Sequence, residues 1–230
     1  MENRDRILAA AARVYAELGF RGATTRRIAD EAGVNEVTLF RLFGSKTALI
    51  TEALRLRPRP GQIGGLPDQP VDPPLELTTW VTSQLGFMRQ QRALLLTTMS
   101  ELAERPEFSD CACEGPERAH QDLRRYLARL TKLGWVQADR DHGAAVAMLL
   151  GAMFADAVGR DLMPEYFPRP LTAAPRAYTR LFLRAIGLRP RGGSSDGGNG
   201  TGSGRKKNPA ARTGRTPSPR RRPTTRTTPR

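Results

Sequence analysis

Between Thr24 and Lys46 the chain reads TTRRIADEAGVNEVTLFRLFGSK, and the side chains that its apolar pattern leaves free are of the types that hold or read nucleic acid. Asn35 can pair with an adenine edge and Glu36 can accept from a cytosine amino group. The methyls of Val37 and Thr38 match a thymine methyl, and Arg41 suits a guanine edge or a phosphate. Phe40 is likewise free of the core pattern. Glu36 has a second reading, as a first-turn carboxylate that only complements a helix dipole. Upstream, Thr24, Thr25, Arg26 and Arg27 bring two guanidiniums and free backbone N–H groups to a helix start, which suits a phosphate oxygen. Such contacts fix register without reading sequence. The alternative for the two arginines is a solvated helix face. Arg4, Arg6 and Arg13 stand between the same two readings.

The elements that hold these groups follow from caps and periodicity. Thr25 to Ala32 and Asn35 to Leu42 read as two short helices, with Thr25 and Asn35 as their caps. Gly33 supplies the turn between them, where φ > 0 is needed. Ile28, Val34, Leu39 and Leu42 are spaced to face inward, and small Ala29 lets the helix axes approach. This is the helix-turn-helix pattern, whose second helix enters a DNA major groove. Ahead of it, Arg4 to Leu18 carries Ile7, Leu8, Ala11, Val14, Tyr15 and Leu18 on one stripe, and Gly19-Phe20 ends that helix. Behind it, Ser45 caps a fourth helix, Lys46 to Leu56.

Ile7 to Ala11, Gly19-Phe20, Thr24-Thr25, Ile28-Ala29, Ala32 to Val34, Thr38 to Phe40, Phe43 to Lys46 and Ala48-Leu49 resemble, in order and spacing, the N-terminal domain of TetR-family transcriptional regulators. The resemblance covers about the first fifty-five residues. It implies an all-α protein: an N-terminal DNA-binding domain and a helical C-terminal domain that dimerises and binds a small effector. It also gives Lys46 the role of a phosphate contact. Three positions depart from the family pattern. Phe40 replaces a frequent Tyr and so lacks a phosphate-binding hydroxyl, Glu36 replaces a frequent Lys, and Val37 a frequent Gly. The operator sequence is therefore the chain's own.

The 230 residues carry a formal net charge of +14. From Arg189 onward twelve basic residues face one carboxylate, Asp196, so this tail holds +11 and the remainder only about +3. The tail is rich in Gly, Ser, Thr, Pro and Arg, lacks the apolar groups that offset ordering entropy, and is expected to be disordered. It reads as a solubilising appendage or, more pointedly, as a flexible polycation that strengthens DNA binding without sequence preference. The two cysteines, Cys111 and Cys113, are poorly spaced for a disulfide and too few for a zinc site. No signal segment opens the chain, and the longest apolar run, Ala144 to Ala155, is too short for a bilayer. The expected setting is cytoplasmic and nucleoid-associated.

Domain limits are expected at 1–56 for the DNA-binding domain, 57–74 for a Pro/Gly-rich linker, 75–188 for the effector and dimerisation domain and 189–230 for the tail. Helices are expected over Leu75–Gln91, Arg92–Glu104, Pro116–Leu133, His142–Arg160 and Pro175–Ile186, with Arg105–Gly115 as a cysteine-bearing loop and Gln137–Asp141 as a polar turn. His142–Arg160 is apolar on every side and must be covered on every side, by the core and by a partner chain. The resemblance implies a four-helix homodimer interface from the last two helices. Trp80, Phe87, Met88, Met99, Tyr126, Met148, Met153 and Phe154 are candidates for an effector pocket, or simply core. His120 and His142 read as surface or capping residues. No Ser-His-Asp or Cys-His set, phosphate-cradling Gly loop or metal-ligand cluster is evident, so no catalysis, cofactor or metal is expected. The function expected is a sequence-specific DNA-binding regulator. By resemblance it is a repressor released from a palindromic operator by a small molecule. The alternative is an architectural protein that binds DNA through its tail.

Overall fold

The computed structural model describes residues 3–55, 64–137 and 142–189, whose regular elements are all helices, with no strand among the described residues. The order is α1 (Asn3–Gly22), α2 (Thr25–Ala32), α3 (Glu36–Phe43), α4 (Lys46–Leu54), α5 (Pro73–Gln90), α6 (Arg92–Glu101), α7 (Ser109–Lys132), α8 (His142–Gly159) and α9 (Ala174–Ala185). Short 3-10 turns precede α7 at Pro106–Phe108 and α9 at Pro164–Tyr166 and Leu171–Ala173. The expected tail, the first part of the expected linker and most of the Gln137–Asp141 turn lie outside the described residues.

The first four helices form the head. The stripe on α1 is buried at Ile7, Ala11, Val14 and Tyr15, and it meets Ile28, Ala29, Leu39, Leu49 and Ile50. Leu18 and Leu42, expected inside, are exposed. Leu18 is the last residue of the stripe, because Gly19, with a φ of +64°, breaks α1 directly after it. Leu42 falls on the outer side of an eight-residue helix of which only Leu39 is fully covered. The cap of α2 is Thr24, whose hydroxyl accepts from Arg27 N–H, rather than Thr25. Asn35 and Ser45 cap α3 and α4 as expected, accepting from the N–H groups of Val37 and Ala48. Gly33 has the left-handed geometry the turn demands, with φ +63° and ψ +41°.

The head's core does not end with the head. Leu94 of α6, Phe108 and Cys111 belong to the same buried cluster. Cys111 and Cys113, expected in a loop, lie in the first turns of α7, which starts seven residues before Pro116 and runs through it. The burial of Phe108 and Cys111 against the head favours this helix start, and it overrides the Gly115-Pro116 stop signal. Cys111 donates to the Phe108 carbonyl, and burial pushes its thiol pKa up.

The second core lies among α5, α7, α8 and α9, with Leu77, Trp80, Leu85, Leu123, Tyr126, Leu130, Val146 and Phe182 at its centre. Asp72 caps α5 and Pro73 occupies its first turn, so the helix begins two residues earlier than its periodicity suggests. Gly64 to Val71 form no helix, but Leu66 packs on the core and Arg129 donates to the Pro67 carbonyl. The helix α8 has 18 residues with mean hydropathy 1.4, and its apolar character extends beyond the 12-residue run at its centre; by length and composition alone it resembles a membrane span, as the core helix of a soluble protein also does. One face of α8 is packed against the core, and it carries a fully buried carboxylate, Asp156.

Candidate nucleic-acid interface

The two N-termini of the helix pair are tied together. The Thr25 hydroxyl donates to Oε1 of Glu36, linking the first residue of α2 to the first residue of α3. Glu36 is thereby engaged within the protein, in addition to lying at the positive end of α3. Asn35 spends its amide oxygen on the Val37 N–H, while its side chain keeps its amide donors.

The outer face of α3 is built from the remaining residues. Val37 is 72% exposed and Phe40 48%, and Arg41 stands beside them without an ion pair among the described residues. Positions 37, 40 and 41 share one side of a helix. Thr38 is half-buried between that face and the core. An eight-residue helix that turns a valine and a phenylalanine to solvent, while Leu39 anchors its other side, presents a contact surface.

At the start of α2, Arg26 and Arg27 are exposed and have no carboxylate partner among the described residues. Arg27 donates to the Gly22 carbonyl at 3.4 Å. Thr24, Thr25, Arg26 and Arg27 therefore stand together, with Thr24 and Thr25 already using their hydroxyls inside the head. Of the three arginines in α1, Arg4 pairs with Glu52 at 2.6 Å and Arg13 with Glu31 at 2.9 Å. Arg6 has no such partner among the described residues.

Lys46 is placed differently from the other phosphate candidates. Its ammonium lies 4.2 Å from the centre of the Phe20 ring, half-buried, and the Arg105 guanidinium lies 3.6 Å from the same ring. Burial, and then the neighbouring Arg105 charge, lower the Lys46 pKa against the pull of Glu101. Phe20 N–H donates to Oε1 of Glu101 at 2.8 Å, and the Thr97 hydroxyl donates to the Ala16 carbonyl at 2.8 Å. Phe108 completes the contact: Phe20 lies 5.6 Å from it and Tyr15 meets it edge-on at 6.2 Å. The break in α1 is thus joined to α6 and to the start of α7. Glu101, Arg105 and Phe108 were missed in the sequence, because their partners lie some eighty residues away and no periodicity reports such a pairing.

The eight effector-pocket candidates do not share one environment. Trp80, Tyr126 and Met153 are buried, Phe87, Met88 and Phe154 are half-buried, and Met99 and Met148 are exposed, the latter by 73%. The Tyr126 hydroxyl donates to Glu76, which also accepts from the N–H groups of Val71 and Asp72. Burial and that carboxylate hold the Tyr126 pKa far above its usual value. Asp156 is held by Arg89 at 2.6 Å, by Arg160 through two bonds and by the Tyr178 hydroxyl at 2.7 Å. Burial alone would raise its pKa, but the bonds from Arg160, Arg89 and Tyr178 reverse this and keep it low. No group of His, Cys, Asp and Glu among the described residues is arranged to hold a metal ion.

Residues 7–53 match the family model described as bacterial regulatory proteins, tetR family. No curated protein sequence matches. Among solved structures, a TetR-family regulator, PfmR from Thermus thermophilus, is 24% identical with a TM-score of 0.57, covering 79% of this chain and 99% of that one. A transcriptional regulator from Rhodococcus sp. Rha1 is 19% identical with a TM-score of 0.64, over 81% and 99%. FadR from Bacillus subtilis, solved in complex with stearoyl-CoA, is 18% identical with a TM-score of 0.62, over 79% and 98%. The described helices share one all-helical fold with these structures. Residues 7–53 are thus similar to the N-terminal domain of the TetR family, and the described residues share the fold of these solved structures.

Proposed function

We propose that the protein is a homodimeric, cytoplasmic, one-component transcription factor of TetR type. Its head, residues 1–56, reads DNA through α3, and residues 75–188 dimerise and take a small effector. The observation that carries this reading is the outer face of α3, where Val37, Phe40 and Arg41 stand exposed beside the capping residue Asn35. Val37 and Phe40 offer apolar contacts to thymine methyls or sugars, and Arg41 and Asn35 supply donors to base edges. Arg26 and Arg27 hold phosphates and set the register. Glu36, bonded to Thr25, orients α3 rather than reading a base.

Dimerisation is supported by the second face of α8, where Ala144, Ala147, Met148, Gly151 and Ala155 lie exposed at helical spacing, and by exposed Leu181 on α9. Two heads related by a twofold axis read a near-palindrome with half-sites about 34–36 Å apart. The bound stearoyl-CoA of the Bacillus subtilis neighbour favours an effector with a long apolar part. Effector binding releases DNA by preferring a head spacing that does not match the operator; the assignment as a repressor rests on the resemblance to the TetR family alone.

Selection of bound DNA from a random pool at moderate salt, with the full chain, tests this reading. An enriched palindrome, lost on Arg41→Ala, supports it. A broad footprint with no enriched site favours sequence-indifferent binding through the basic tail instead.

A further inference from the structure

A second place in the molecule has the makings of a binding site. Between the start of α5 and the length of α9 lies an open groove of about 680 Å³, lined by Leu75, Thr78, Arg176, Thr179, Arg180 and Arg184 among others. That volume falls in the range of small-molecule sites. None of the eight effector-pocket candidates from the sequence lines it.

Three features give the groove a chemistry. Arg176, Arg180 and Arg184 recur every fourth residue, so they form a row with a rise of about 6 Å per step along α9. None of them has a carboxylate partner among the described residues. Apolar groups flank the row: Leu75, an exposed leucine in the first turn of α5, lies across the groove, and Leu183 and Leu188 line the α9 side. Thr179 also lines the groove; it is only 2% exposed and its hydroxyl has no hydrogen-bond partner among the described residues. A buried hydroxyl without a partner is costly, and a ligand acceptor above it would remove that cost. The only carboxylate of the lining, Asp72, is already occupied by capping α5.

We propose that this groove binds an anionic amphiphile, an apolar chain or ring system that ends in a phosphate or carboxylate. The head group takes the fork of Arg176 and Arg180, with Arg184 at its edge, and the apolar part lies along Leu75, Leu183 and Leu188. The chain's own tail is a poor occupant, because it carries eleven basic residues beyond Arg189 and would meet like charge. Leu181, the exposed apolar residue of α9, is not part of the lining, so the groove and the proposed dimer face are separate sides of the helix. The inference does not depend on the DNA-binding reading, and its test reads the protein alone.

The experiment is calorimetric titration of the full chain at physiological salt with dodecyl phosphate and with dodecanoate, both below their micelle concentrations. Inorganic phosphate and dodecyltrimethylammonium serve as controls. Saturable one-to-one binding of the phosphate amphiphile, the carboxylate amphiphile or both is expected, and the two titrations show which head group is preferred. Neither control should bind comparably. Arg176→Gln/Arg180→Gln and, separately, Leu75→Glu should each weaken binding by about tenfold or more. The two arginines have no carboxylate partner and Leu75 is exposed, so both variants should melt like the parent, and that is checked by circular dichroism. Undiminished binding by the folded variants would overturn the proposal, as would equal binding of the cationic amphiphile or of inorganic phosphate alone.

Discussion

The Thr25 hydroxyl donates to the Glu36 carboxylate, so the first residue of one helix of the head fixes the first residue of the next. Glu36 stands where the sequence suggested a base-reading acceptor, yet its hydrogen-bond partner is inside the protein.

Removing either member should therefore cost stability without DNA being present. Thr25→Val and Glu36→Ala are each expected to lose about 1 kcal/mol, and the double variant little more than either single one. Urea denaturation of the four proteins measures the coupling; fully additive losses would show that the contact contributes nothing.

Phe40 and Val37 should behave in the opposite way. Both are largely exposed, so Phe40→Ala and Val37→Ala should change stability by no more than about 0.5 kcal/mol. Affinity for the selected DNA site should fall by about tenfold or more for each variant. Paired melting curves and DNA titrations separate the two effects.

Asp156 gives a pH signature. Its pKa is lower folded than unfolded, so its contribution is fully present above the ordinary carboxylate value of about 4. That contribution is lost as pH falls through the lower folded value. Asp156→Asn leaves Arg89 and Arg160 without their shared charge and should cost about 3 kcal/mol or more at neutral pH. Its stability should also fall less steeply than the parent's below about pH 4. Denaturant midpoints taken from about pH 2 to about pH 7, the range spanning that loss, read both effects.

Gly19 and Gly33 have nearly the same φ, +64° and +63°, but different surroundings. A Cβ at Gly33 meets nothing within 4 Å, whereas one at Gly19 would lie 2.6 Å from Oε1 of Glu101. Gly33→Ala should cost about 1 kcal/mol from backbone strain alone. Gly19→Ala should cost measurably more, because the carboxylate that accepts the Phe20 N–H must also move. The difference between the two denaturation midpoints isolates that contact.

Much of the head was legible because its signals are local. Asn35 and Ser45 cap the helices their types and positions implied, and Gly33 turns where only glycine turns freely. The cap of α2 was placed one residue late, on Thr25 rather than Thr24, since either hydroxyl can cap and the path out of the broken α1 decides between them. The apolar centre of α8 was legible, but the role of Asp156 within it was not, because Arg89 lies 67 residues away. The cysteine segment was misplaced for a related reason. Gly115-Pro116 reads as a boundary, and only the burial of Phe108 and Cys111 against the head shows why α7 begins earlier. The groove on α9 left a trace in the spacing of its arginines, but the α5 wall that completes it has no sequence signal.

The buried cluster that runs from Tyr15 through Phe108 to Leu94 and Cys111 also sets a rule for protein engineering. Cutting after α4 would strip that cluster of three of its members, Leu94, Phe108 and Cys111, and leave Tyr15 facing water. A graft of this head onto another protein must therefore carry the stretch from α6 to the start of α7, or a redesigned surface in its place. The outer face of α3 is carried by eight residues, but the fold that presents it draws on Leu94, Phe108 and Cys111 and so cannot be transplanted as residues 1–55.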